Sequence, residues 1–134
     1  MKYFLSLGSN IDPESNLDLA ISALKDILTE TECSSVYTTQ AEGFDGDDFL
    51  NLIFCGVSSL SFDDLNQKLK NIEDNSGRDR NAPKFSSRTL DIDIVLQISD
   101  DEEIVFESDE IAKYRFVSEP VSYTHLTLPT IYSV

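Results

Sequence analysis

Two carboxylates and a run of arginines hold most of the chemistry available to this chain. In Arg88-Thr89-Leu90-Asp91-Ile92-Asp93-Ile94-Val95-Leu96, acids alternate with aliphatic residues. That is the pattern of a strand with Asp91 and Asp93 on one face and Leu90, Ile92, Ile94 and Leu96 on the other. At about 3.3 Å per residue the two acids stand roughly 6.6 Å apart along the backbone, close enough to share one cation or a pair of cations. Two readings stay open on these residues alone: a wet strand face with solvated acids, or a site for hard cations. Asp is disfavoured in strands, so the pair asks for a reason beyond solvation.

The anion-binding groups lie directly upstream. Twenty-five Asp and Glu against ten Lys and Arg give a net charge of -15, which argues against a nucleic-acid surface. All four arginines nevertheless fall between Arg78 and Arg115, and three of them accompany Lys84 in residues 77–88. On an acidic protein this island is where an anion goes. Gly77, Asn81, Pro83, Ser86 and Ser87 give the same stretch the composition of a flexible lid, and a solvated surface loop is the plainer alternative.

These groups need a scaffold, and the length and 40% hydrophobic content of the 134-residue chain suit one domain with one core. The apolar run at 3–7 is too short for a signal peptide, and nothing approaches a membrane span. Cys33 and Cys55 have no metal or redox spacing, so buried thiols in a reducing cytoplasm are expected.

Residues 2–7 read as a first strand closed by Gly8, Ser9 and Asn10. Leu17, Ala20, Ile21, Leu24, Ile27 and Leu28 recur at helical spacing behind Asp12, Pro13, Glu14 and Ser15, which supply capping and first-turn chemistry. Strands follow at 34–39 and 49–57. Ser61-Phe62-Asp63-Asp64 opens a second helix with Phe62, Leu65, Leu69 and Ile72 on its apolar face. The Asp91 strand and a short hairpin strand at 104–106 complete an α+β chain. The order β-α-β-β-α-β predicts a ferredoxin-like sheet with both helices on one face and the other face free for a site.

Leu7-Gly8-Ser9-Asn10, Phe49-Leu50-Asn51, Gly77-Arg78-Asp79-Arg80 and Arg88-Thr89-Leu90-Asp91-Ile92-Asp93-Ile94, in this order, resemble the 6-hydroxymethyl-7,8-dihydropterin pyrophosphokinases of folate biosynthesis. The resemblance runs over residues 1–120. It implies pyrophosphate transfer from ATP to the pterin hydroxymethyl group with release of AMP, in a monomer without nucleic-acid or membrane partners. It further implies two Mg²⁺ ions on Asp91 and Asp93, with Arg78 and Arg88 completing the catalytic set. ATP contacts are implied for Glu73, Arg78, Arg80, Arg88, Ile94 and Arg115. Pterin contacts are implied for Thr39, Gln40, Glu42, Phe49, Asn51, Phe85, Asp91 and Phe116. Guanidinium forks suit phosphate oxygens, and a flat heterocycle suits a slot between rings.

The chain departs from the family pattern at several places. Gln40 and Ala41 replace prolines, Phe85 stands for a Trp, Ser108 for a His, and Arg115 replaces an Arg expected at Tyr114. Residues 121–134 abandon the pattern altogether. The string from Val121 to Thr130 reads like a translated transposon-end sequencing adapter, which predicts a tail that is not gene-encoded and that replaces a native C-terminal helix. His125, the single histidine, then has no catalytic part. Two rival functions remain: a non-catalytic ferredoxin-like binding module, or an inactive truncated fragment, and a metal-dependent nuclease. Clustered acids beyond the pair are lacking for the nuclease.

Overall fold

A computed structural model of the chain describes residues 1–39, 48–77 and 89–108. Six strands and two helices follow one another as β1 (Lys2–Ser9), α1 (Pro13–Ile27), β2 (Thr29–Cys33), β3 (Tyr37–Thr39), β4 (Phe49–Val57), α2 (Phe62–Asn75), β5 (Asp91–Ile98) and β6 (Ile104–Glu107). The strands form one antiparallel sheet in the order β2-β4-β1-β5-β6, with β3 also paired to β4. The architecture is α+β.

Both helices cover one face. Leu17, Ala20 and Leu24 of α1 and Leu65, Leu69 and Ile72 of α2 pack with Tyr3, Leu5, Leu7, Leu52, Phe54 and Ile92 from the three central strands. Each Leu, Ile or Phe side chain among them contributes about 1.5–3 kcal/mol by leaving water, so this layer fixes how the strands lie against one another. A second, smaller cluster of Phe4, Ile53, Cys55, Val95, Leu96 and Ile98 occupies the opposite face.

The helix starts are built differently. Ser61 caps α2 as its sequence promises, its side chain accepting from the Asp64 N–H at 3.2 Å. Asp12 holds the N-cap position of α1 but lies in the left-handed region at φ 45° and makes no side-chain cap bond. Pro13 begins the helix, and Asn16 Nδ2 secures the turn by donating to the Ile11 carbonyl at 2.6 Å.

Two expectations are corrected. The single strand expected at 34–39 is an interrupted edge, β2 and β3, with both pieces on β4. Ser34 bridges the break: its N–H donates to Ile53 O, and its hydroxyl accepts the Ile53 N–H, each at 2.8 Å. A side chain thus replaces a backbone acceptor where the ladder stops. Leu96 does not share a face with Leu90, Ile92 and Ile94, because the β1–β5 register shifts between Phe4 and Leu5. The irregularity reverses the alternation beyond Ile94, so Leu96 joins the second cluster and Gln97 turns to donate to the Tyr3 hydroxyl at 3.2 Å.

Candidate active site

The site lies on the sheet face away from the helices, at the Ser9 end of β1. Ile92 is buried among the helix-side residues, so its neighbours Asp91 and Asp93 point the other way, and both are half-buried. Asp91 pairs with Gly8, and Gly8 pairs on its other side with Asn51. Asp93 pairs with Ser6, which pairs in turn with Ile53. One cross-strand row therefore reads Asn51, Gly8, Asp91. With neighbouring strands about 4.8 Å apart, its two polar ends stand roughly 10 Å from each other across a central residue that has no side chain.

Gly8 is what keeps the row open. A Cβ there would stand 2.9 Å from Asn51 Oδ1 and 3.8 Å from Phe49 Cδ1, so the amide and the ring both lean over bare backbone. Asn51 is buried, and its Nδ2 reaches Phe49 O at 3.4 Å. A half-buried aromatic edge, a buried amide and a carboxylate thus border one strip of glycine backbone. That arrangement offers a flat, polar-edged molecule a floor, a ring and hydrogen-bonding groups at both ends.

The strand carrying the acids is tied to α2 at its entry. Ser76 Oγ lies 2.8 Å from Thr89 Oγ1, Ser9 Oγ donates to Thr89 O at 2.5 Å, and Glu73 Oε2 accepts the Ile92 N–H at 2.7 Å. Gly77 ends the helix at φ 86°, a backbone conformation that glycine adopts without strain. Ser76 and Thr89, which flank residues 77–88 in the sequence, therefore touch, close to the start of the Asp91 strand.

The structure brings Asp91, Asn51 and Phe49 together and sets Asp93 one row along. Thr39 lies in β3, its backbone paired with Phe49. Ile94 is buried on the helix side. Glu73 is wholly buried beneath β5. Gln40, Glu42, Arg78, Arg80, Phe85, Arg88, Arg115 and Phe116 lie outside the described residues, as does the tail from Val121. Ser108 donates its N–H to Val95 O at 2.9 Å. Sequence reasoning missed the part Gly8 plays and the tie from Ser76 to Thr89: it expected Gly8 and Ser9 to close the first strand as turn residues, whereas β1 runs through both and Gly8 is paired on either side.

Among the described residues no group of three or more His, Cys, Asp and Glu gathers as a metal site, so the candidate cation ligands there are the two aspartates. Their oxygen donors, partly open to solvent on one strand face, fit a hard divalent cation that keeps several waters. A separate cleft of about 450 Å³ opens at the other end of the sheet, lined by residues that include Asp26, Val57, Ser58 and Lys68. It holds none of the groups named above. No described helix is long and apolar enough to cross a membrane.

The family model for 7,8-dihydro-6-hydroxymethylpterin-pyrophosphokinase matches residues 4–125. An Aquifex aeolicus protein named 2-amino-4-hydroxy-6-hydroxymethyldihydropteridine pyrophosphokinase is 37% identical over 95 residues, covering 69% of this chain and 59% of that protein. A folate synthesis bifunctional protein of Arabidopsis thaliana is 31% identical over 125 residues, covering 87% of this chain and 25% of the relative. One of Chlamydia caviae is 35% identical over 100 residues, covering 69% of this chain and 22% of the relative. The chain thus spans less than two thirds of the length of each of these three relatives.

Proposed function

Because this chain belongs to the 7,8-dihydro-6-hydroxymethylpterin-pyrophosphokinase family, we propose that it transfers pyrophosphate from ATP to the hydroxymethyl group of 6-hydroxymethyl-7,8-dihydropterin and releases AMP. The observation that carries the reading is the row Asn51, Gly8, Asp91. It sets glycine backbone between an amide and a carboxylate, next to the ring of Phe49.

Phosphoryl-type transfer asks for alignment and charge neutralisation more than for covalent help. The Phe49 ring and the Asn51 amide hold and orient the heterocycle, so that its hydroxymethyl arm points toward Asp91. Asp91 and Asp93 are the residues that would hold Mg²⁺, two ions by family resemblance. Bound there, it supplies neutralisation of the polyphosphate and acidification of the attacking hydroxyl. Arg78 and Arg88 grip phosphate oxygens, with Arg80 and Arg115 assigned to the same nucleotide, and the Ile94 backbone completes that side; the contact implied for Glu73 is not open to its side chain, which is wholly buried with Oε2 on the Ile92 N–H. Thr39, Gln40, Glu42, Phe85 and Phe116 close the pterin side. These assignments follow from the resemblance residue by residue.

The finer fold belongs to the same reading. If β2 and β3 count as one interrupted edge, the order edge-β4-β1-β5 is that of a ferredoxin-like sheet, extended by β6. Residues 1–120 form the catalytic domain, and residues 121–134 are a foreign tail. A cytoplasmic monomer suits two free thiols, Cys33 packed on the helix side and Cys55 on the other. The test is incubation with Mg²⁺, ATP and the hydroxymethyl dihydropterin, followed by nucleotide analysis. Pterin-dependent AMP is expected. ADP as product, or ligand binding without turnover, would replace the proposal with another kinase chemistry or with a binding module.

A further inference from the structure

We infer that Glu73 is a positioning residue for the cation site: its carboxylate sets the backbone between Asp91 and Asp93, and thereby the direction in which the two acids point. The inference rests on the reading of those aspartates as cation ligands. Glu73 has no solvent exposure, an uncommon place for a carboxylate, since burial of an ionised group costs several kcal/mol unless partners compensate. Its Oε2 accepts the Ile92 N–H at 2.7 Å in a buried bond, and its Oε1 lies 3.5 Å from Lys70 Nζ one turn back on α2. Ile92 is the one residue between the two acids.

The need for this bond follows from the sheet. Among the described residues β6 pairs with β5 only from Leu96 to Ile98, so no described strand covers the outer edge of β5 at Ile92. A buried N–H left there without a partner is destabilising and leaves the strand free to twist. Glu73 supplies the acceptor from beneath, out of a helix that Leu65, Leu69 and Ile72 fix against the core. Outer-shell contacts of this kind commonly change metal affinity by about 10–100-fold. The bond calls for an acceptor and not for a charge, so Gln is expected to replace Glu.

The test avoids turnover. Mg²⁺ alone is titrated into ¹⁵N-labelled wild-type, Glu73→Ala and Glu73→Gln chains, following the Asp91, Ile92 and Asp93 amides together with hydrogen exchange at Ile92. Glu73→Ala is expected to weaken Mg²⁺ about tenfold and to expose the Ile92 amide. Glu73→Gln is expected to keep the amide protected and the affinity within about twofold, and this variant carries the test if the alanine chain does not fold. A folded Glu73→Ala chain with wild-type Mg²⁺ affinity overturns the inference, as does a folded Glu73→Gln chain that binds as weakly as the alanine form. Absence of pterin-dependent AMP from the wild type would strike the proposed reaction and leave these titrations readable.

Discussion

The two halves of β5 lie on either side of one irregularity and have opposite characters. From Asp91 to Ile94 the acids face away from the helices while Ile92 and Ile94 pack under them. From Val95 to Ile98 the outward face is apolar and buried: Val95, Leu96 and Ile98 join Phe4, Ile53 and Cys55, and the polar Gln97 turns inward to Tyr3. The same strand, paired to the same neighbour, changes polarity because its phase shifts by one residue. A wet exterior face would be polar along its whole length. Here the face turns dry immediately beyond Asp93, which favours a bordered site over a pair of merely solvated acids.

The strongest way to break this contrast is to remove one acid. Asp93→Ala is expected to lower pyrophosphate transfer by about 10²–10³-fold or more while moving the thermal midpoint far less than a core truncation does, because the residue is half-buried and belongs to neither apolar cluster. Near-wild-type turnover would return the pair to ordinary surface chemistry. The apolar half should respond in the reverse sense. Leu96→Ala is expected to cost about 2–4 kcal/mol in urea unfolding, with KM values unchanged in the folded fraction, and a loss under 1 kcal/mol would show that this half is not a core.

Cys55 probes the same dry face by pH. Burial pushes its thiol up to about 11 from an ordinary 9.0, with nearby Lys2 pulling weakly the other way. The folded chain therefore holds this proton to higher pH than the unfolded chain. The associated stability is fully present below pH 9 and is lost as pH rises toward 11. Relative to Cys55→Val, the wild type should lose about 2 kcal/mol across that window, measured by urea midpoints at each pH. Parallel profiles for the two chains would mean that the thiol is not in a dry environment.

Periodicity exposed most of the scaffold and little of its irregularity. Leu17, Ala20 and Leu24 announce α1 through their spacing, and Ser61 marks the start of α2 through its chemistry. The break between β2 and β3 was hidden because it depends on the Ser34 hydroxyl meeting the Ile53 N–H, a partner 19 residues away. The phase change was hidden because Val95 and Leu96 are both apolar, so either one fits either face. Within the site, the alternation of Asp91 and Asp93 was readable from spacing, whereas the Glu73 bond to Ile92 is tertiary and leaves no mark on local pattern. The arginines were readable as a charge island, but their places lie outside the described residues.

The smallest expected effect sharpens the contrast most, because it adds one carbon between the two polar ends of the row. Gly8→Ala places a Cβ 2.9 Å from Asn51 Oδ1, closer than real contacts allow, so the amide has to shift. Gly8 pairs with Asn51 and with Asp91 through backbone, and alanine keeps both ladders, so the sheet should survive. The pterin KM should rise about tenfold, equivalent to about 1.4 kcal/mol, while the ATP KM and the Mg²⁺ dependence hold. An equal rise in both KM values would mean that the substitution disturbs β1 as a whole. An unchanged pterin KM would mean that the open strip at Gly8 is not where the heterocycle lies, and the row would keep its acids but lose its substrate.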